Sequence, residues 1–277
     1  SALAGGLVRI EFRDIPTEDR AVAAALEERY RLDLCAVAAS EPEEAGAPLA
    51  HVARLAGAVI DGLIGPSEGI GIAWGSTMAA VVREIPVRSA AAIEVVQLAG
   101  SSSRLGRERD AGQLARSLAD RLGATDHPIY APAFVASREL RESLARDPEI
   151  ARAMDRFDAL TLAIVGIGAM PDGSPVAASS LIRSGVLDDA EVARLVAAGA
   201  IGDLVVHPFD AEGRFVATDL TDRAVAISVD GLRRVPRVVA VATGPAKAAA
   251  IRGALASGVV RMLVTDAATG RAVLGDA

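Results

Sequence analysis

The stretch GIGIAWGSTMAAVV (69–82) decides the fold. Its first half is a short apolar run with a β-branched residue at alternate positions, and its second half is a helical pattern. Only Gly75-Ser76-Thr77 separates them. An apolar strand that turns straight into a helix is the repeating step of a parallel α/β sheet. Glycine at the turn lets the backbone come close to an anion. The free N–H groups of the helix start and the two hydroxyls could then surround it. The same residues also suit an ordinary strand-to-helix turn with a Ser/Thr cap, and this stretch leaves both readings open.

Outward from that stretch the step recurs. Candidate strands are 7–12, 32–39, 70–74, 92–99, 160–168, 203–208, 237–243 and 261–266. Several are apolar throughout, as strands buried on both faces must be. Helical patterns lie between them, including 17–31, 49–64 and 107–122, the first with Thr17 as its expected N-cap. The expected architecture is a doubly wound, Rossmann-like α/β fold with a mostly parallel sheet. Segment 41–48, EPEEAGAP, reads as an exposed loop.

Composition narrows the function. Of 277 residues 51% are hydrophobic and the net charge is −7, with no basic stripe interleaved with aromatics, so these residues make a poor nucleic-acid surface. No apolar run reaches the roughly 18 residues of a membrane span, and the N-terminus has no secretory pattern. The one cysteine, Cys35, sits in an apolar run and reads as a buried small hydrophobe. The expected compartment is the cytoplasm.

In open parallel sheets ligands bind beyond the carboxyl ends of the strands, so the loops there matter most. Strand 92–99 ends in Gln97, Gly100 and Ser101, where a buried glutamine needs partners from backbone or from a polyol. VGIGAM (165–170) opens onto Gly166 and Gly168. Gly202-Asp203 places a carboxylate where it could accept from sugar hydroxyls or cap a turn. Lys247 is the one lysine among 29 Lys and Arg residues, and it falls at the start of a helix after Thr243-Gly244. A cation there opposes the helix dipole unless an anion is bound beside it.

Catalytic and metal signals are thin. His51, His127 and His207 are far apart, there is no G-x-S-x-G elbow, and no acid pair stands out. Neither metal nor cofactor is expected, and no residue is assigned to catalysis. Gly69, Gly71 and Gly75 form a loose dinucleotide pattern. Its first two glycines lie in or before the strand, and Glu94, the acid about 20 positions on, falls inside a strand, which counts against NAD. Trp74, beside the turn, reads as core.

In order along the chain, GIAWGSTM, VVQLAGS, IYAPAFVASRELRESL, LAIVGIGAM, GAIGDLVVHPFDAEGRFV and the closing stretch from RVVAVATGPAK to LVTD resemble the effector-binding domain of SorC/DeoR-type bacterial transcriptional regulators. The resemblance runs from about residue 6 to the C-terminus. It implies a fold related to the sugar-phosphate isomerases and a phosphorylated sugar or polyol as effector. The phosphate would lie against Gly75, Ser76 and Thr77 and pair with Lys247. Asp203 falls on the family's Gly-Asp acid, and Gln97 and Gly100 on its Q-L-x-G strand end. It further implies a homodimer or homotetramer, and operator DNA contacted only through an N-terminal helix-turn-helix. That element is not in these 277 residues, so the chain reads as a 6–277 effector domain behind a 1–5 remnant, with Ser1 an expression scar. The competing reading is a sugar-phosphate isomerase or deaminase of the same fold, and a variant has Lys247 form an imine with an open-chain sugar.

Overall fold

The computed structural model describes residues 16–39, 48–88, 92–171 and 179–275. Seven strands, β1 (Leu34–Ala38), β2 (Gly69–Ile72), β3 (Glu94–Gln97), β4 (Thr125–His127), β5 (Leu162–Ala169), β8 (Arg237–Val241) and β9 (Met262–Asp266), form a parallel sheet in the order β1-β9-β8-β5-β2-β3-β4. A hairpin of β6 (Gly202–Leu204) and β7 (His207–Phe209) pairs antiparallel with the far end of β5.

The apolar runs are continuous because alternate residues of one strand feed two different cores, the period-two geometry of a strand. Leu162 and Ile164 of β5, with Val239 and Val241 of β8, pack under helices Pro48–Leu63, Ser76–Glu84 and Ala111–Leu122. Ala163 and Val165, with Val238 and Ala240, face the opposite core, where Leu26, Ile251 and Val273 come from helices Arg20–Tyr30, Ala248–Ala256 and Ala267–Leu274. Burying a Val, Leu or Ile side chain contributes about 1.5–3 kcal/mol before entropy is counted. Two such layers hold the sheet from both sides.

The structure departs from the sequence reading at four places. Asp19, not Thr17, caps the first helix, its carboxylate accepting from Val22 N–H at 3.2 Å. Residues 107–109 form a 3₁₀ turn, and the helix read as 107–122 starts at Ala111, after Asp110. The strand expected over 203–208 is the β6–β7 hairpin, because the chain reverses at Val205 with φ of 61°. A β-branched residue there is strained by about 1–3 kcal/mol. Finally, β4 carries no apolar signal in the sequence: Thr-Asp-His is a short polar edge strand. The expected strand 7–12 and residues 41–47 of the expected loop lie outside the described residues.

Candidate ligand-binding site

From β2 the chain moves to β3 and β4 on one side; β5 returns to the other side of β2, and the chain then continues to β8 and β9. The connections at the carboxyl ends of β2 and β5 therefore diverge and leave a crevice between them. A cavity of about 230 Å³ lies there. It brings together Gly75, Ser76 and Thr77 after β2, Gly166 and Gly168 of β5, Asp203 of β6 and Lys247 beyond β8.

One part of the wall suits an anion. Gly75 precedes helix Ser76–Glu84 with φ of 114°, and its own N–H is taken by Arg109 O at 3.0 Å. The following N–H groups of Ser76 and Thr77 have no intrahelical acceptor, by their position in the first turn. Gly75 brings no side chain to cap them. Lys247 reaches the same cavity from a 3₁₀ turn, Pro245–Lys247, that opens at Gly244 with φ of 107°. Asp266 holds that turn: its carboxylate accepts from Thr243 Oγ1 at 2.5 Å and from Thr269 Oγ1 at 2.6 Å, and Thr269 Oγ1 accepts from Gly244 N–H at 2.8 Å. Lys247 Nζ donates to Ile167 O at 3.0 Å. Burial pulls the lysine's pKa down, and the positive charge of Arg183 adds to that, against the attraction of Asp203.

Another part of the wall suits a hydroxyl. Asp203 is 5% exposed and stands opposite Gly168 in the β5–β6 ladder. A Cβ at 168 would run into Asp203 Oδ1 and Ser179 Oγ, which explains the glycine. Among the described residues Asp203 Oδ1 has no hydrogen-bond partner. Burial pushes this carboxyl up to about 6, against a hydrogen bond from Ser179 and the charge of Lys247. A buried, acceptor-only oxygen beside an ammonium is a place for a ligand O–H.

The sequence missed several lining residues. Arg183 ends the short helix Ser180–Arg183 and adds a second cation. Ser179, Ser180 and Thr243 add hydroxyls. Trp74, expected as core, is buried and also forms cavity wall. For Trp74 the adjacent turn was a usable signal; for Arg183, one arginine among many, there was none.

Gln97, Gly100 and Ser101 are not brought into this cavity. Gln97 is fully buried, with Nε2 donating to Ala99 O at 2.6 Å and Ser101 Oγ at 3.1 Å, and Oε1 accepting from Ile129 N–H at 3.0 Å. Ser101 Oγ donates on to Asp110 Oδ1 at 3.0 Å. Gly100 N–H donates to Val225 O at 2.8 Å, and a Cβ there would collide with Ala131 O. The three residues tie the end of β3 to the N-cap of helix Ala111–Leu122. Gln97→Leu strands the Ile129 N–H, and the expected cost is about 1–3 kcal/mol in urea unfolding. Calorimetry should show ligand affinity unchanged; a large affinity loss at constant stability would return Gln97 to the site.

Away from the cavity, His207 Nε2 lies 2.7 Å from Ile227 O, and burial lowers its pKa. Cys35 is buried, and burial pushes its thiol up to about 12. Among the described residues no three His, Cys, Asp or Glu side chains are grouped to hold a metal ion, and no helix is long and apolar enough to cross a membrane.

A family model described as "Putative sugar-binding domain" matches residues 15–275. The chain is 31% identical over 276 residues to the erythritol catabolism regulatory protein EryD of Brucella abortus, a match covering 99% of this chain and 85% of that protein. It is 26% identical over 274 residues to the deoxyribonucleoside regulator of Bacillus subtilis, covering 98% and 85%. Among solved structures, the full-length sorbitol operon regulator SorC of Klebsiella pneumoniae superposes with a TM-score of 0.85 at 24% identity, over 99% of this chain and 86% of that one. A domain of a possible sugar-binding transcriptional regulator from Arthrobacter aurescens gives 0.81 at 26% identity, over 96% and 100%.

Proposed function

Because this chain belongs to the sugar-binding domain family of SorC/DeoR-type transcriptional regulators, we propose that its cavity senses a phosphorylated sugar or polyol. Occupancy would change how the regulator holds DNA. The observation that carries this reading is the convergence of opposite demands in one small space. The first turn of helix Ser76–Glu84, Lys247 and Arg183 ask for an anion, and the unpartnered Asp203 Oδ1 asks for a hydroxyl. A phosphate on a polyhydroxyl chain supplies both.

The relatives named above are regulators of erythritol, deoxyribonucleoside and sorbitol genes, which supports a small polyhydroxyl effector. With a net charge of −7, these 277 residues are not the surface proposed to contact DNA. The regulator would be a cytoplasmic homodimer or homotetramer, with the ligand resetting the orientation of its subunits.

Asp203 is also the one observation on the side of an isomerase-like enzyme, since a carboxyl near 6 can serve as a base. Its titratable companions in the described cavity wall are the cations Arg183 and Lys247, with no second carboxyl or histidine to share the proton traffic. Turnover of an aldose phosphate by the purified chain would decide for the enzyme.

The sensor reading is tested by thermal shift with sugar and polyol phosphates beside their unphosphorylated parents. A ligand at 100 times its Kd adds about 2.7 kcal/mol to the native state, or roughly 5–10 °C in Tm for a chain of this size. Phosphates should raise Tm and the parents should not. Equal shifts from both would remove the phosphate from the reading.

A further inference from the structure

Asp203 lies on one face of the β6–β7 hairpin, and the opposite face touches a different part of the chain. In the antiparallel ladder Asp203 stands across from Pro208, and Leu204 from His207. Cross-strand partners share a face and successive pairs alternate, so His207 points away from the side that carries Asp203. Its Nε2 lies 2.7 Å from Ile227 O. A carbonyl only accepts, so Nε2 carries a proton and donates it there. Phe215 meets the imidazole edge-on, with ring centres 6.2 Å apart, and fixes its plane.

Ile227 belongs to a short segment, 224–227, bridged through Ala226 to Ala99 and through Ala224 to Phe134. Ile227 N–H donates to Leu98 O at 2.8 Å, and Val225 N–H donates to Ala133 O at 2.9 Å. Beyond Phe134 the chain enters helix Arg138–Ala145, which buries none of its residues. A displacement of 224–227 therefore reaches the surface within a few residues. We propose that the tip of the hairpin is the moving part of the sensor, and that His207 is the positioning residue through which occupancy of the cavity reaches 224–227, an inference that rests on the sensor reading above.

The empty hairpin carries two loads close together. Val205 holds φ of 61°, a left-handed conformation that a β-branched residue resists. Asp203 Oδ1 is buried and, among the described residues, has no hydrogen-bond partner. The base of the hairpin cannot yield to them: Phe209 is fully buried, and a Cβ at Gly202 would lie 2.6 Å from its ring. Relief is confined to the tip, 204–207, where Val205 leaves its strained conformation and His207 lets go of Ile227. A ligand O–H on Oδ1 removes one load and so favours the closed tip over the open one. That difference in affinity between two conformations is what a ligand needs in order to shift them. With the tip closed, Ile227 O keeps the imidazole donor and 224–227 is held. With it open, a buried carbonyl loses that donor and the segment loosens.

The test is amide exchange at Val225 and Ile227, read against β8 amides that report unfolding of the whole chain. Four ligand-free proteins are compared at neutral pH: wild type, Asp203→Asn, His207→Phe and the double variant. Asparagine removes the buried charge that a ligand hydroxyl would otherwise satisfy, so the comparison needs no ligand. With His207 present, Asp203→Asn should slow both amides at least about five-fold relative to β8, the lower end of coupling between sites. With His207→Phe the same change should leave them within about two-fold, although Leu204 N–H still slows. His207→Gln keeps a donor for Ile227 O and should restore part of the response, which packing alone would not. Equal slowing with and without His207, or slowing at Leu204 that never reaches Val225 and Ile227, overturns the relay. No slowing at Leu204 overturns the moving tip. Erythritol 4-phosphate and glucitol 6-phosphate are then the probes on wild type and His207→Phe. Binding that slows Val225 and Ile227 only where His207 is present supports the relay, and binding that slows them in both proteins overturns it. Failure of both probes to bind counts against the phosphate reading alone, because the ligand-free comparison still decides the relay.

Discussion

Lys247→Ala should erase most of the ligand-induced rise in Tm while leaving the fold in place. Among the described residues the lysine makes one hydrogen bond, Nζ to Ile167 O at 3.0 Å. Against that stand the cost of burying an ammonium and its repulsion by Arg183, both of which lower its pKa. The two sides largely cancel, so the apo Tm should move little. In the complex the balance changes. A phosphate beside Lys247 screens Arg183 and gains charge-assisted hydrogen bonds. Removing one partner of a desolvated charge pair costs about 2–5 kcal/mol, which is a loss of more than about 30-fold in affinity.

Titration calorimetry with the phosphate that shifts wild type most would read that loss directly. Lys247→Arg is the informative companion. It keeps the charge, but a planar guanidinium does not replace a compact ammonium seated against a carbonyl. Partial recovery is expected, with arginine between alanine and lysine. If Lys247→Ala binds the phosphate within about three-fold of wild type, a difference under 1 kcal/mol, the lysine is not the phosphate's partner. The lone lysine of an arginine-rich chain would then be a packing accident at Ile167.

What the sequence made legible follows from where the physics is local. The strands of the parallel sheet are apolar on both faces, so their runs stand out, as β5, β8 and β9 do. The turn at Gly75-Ser76-Thr77 is legible for the same reason: strand, glycine, hydroxyls and helix are consecutive. Lys247 stands out as the one lysine of the chain, and its place at a helix start, where a cation is out of place without an anion, adds to that. Long-range pairing was not legible. DLVVHP carries strand-like residues, and nothing in it announces that Val205 takes a positive φ and folds the run into a hairpin. Yet that hairpin sets Asp203 against Gly168 and buries it over the cavity. Gln97 shows the converse. A buried amide at a strand end needs partners, but only the fold shows that Ala99, Ser101 and Ile129 supply them all.

Asp203→Asn should make the empty protein more stable at neutral pH and a poorer sensor. The carboxyl ordinarily titrates at 3.8 and in the fold at about 6, with burial the main cause. Between those values the folded chain holds a proton that the unfolded chain has released. Stability from this group is therefore greatest below about pH 4 and declines as pH rises to about 6, by roughly 3 kcal/mol at 1.36 kcal/mol per unit. Asparagine does not titrate, so the variant lacks that decline. Lys247, left facing Arg183 alone, takes back part of the gain, and the net at pH 7 should be about 1–3 kcal/mol. Glu68 runs the other way: burial works upward, but hydrogen bonds from Thr161 and Arg237 outweigh it and hold the carboxyl below 4.5. Its contribution is lost only as pH falls beneath that value, and it is common to both proteins. The difference between wild type and variant in urea unfolding, measured from pH 4 to 7, thus isolates Asp203. That difference should be small at pH 4 and grow in the variant's favour up to about pH 6. Ligand binding should show the opposite preference. A hydroxyl donating to Oδ1 favours the carboxylate, so wild-type affinity should climb relative to the variant over the same interval, with the phosphate's own second ionisation near 6 cancelling in the ratio. A variant less stable than wild type at pH 7 would mean that Asp203 is held by structure rather than reserved for a ligand. If the variant is instead the more stable of the two, the buried carboxylate is stability given up in the empty site and recovered when the effector's hydroxyl arrives.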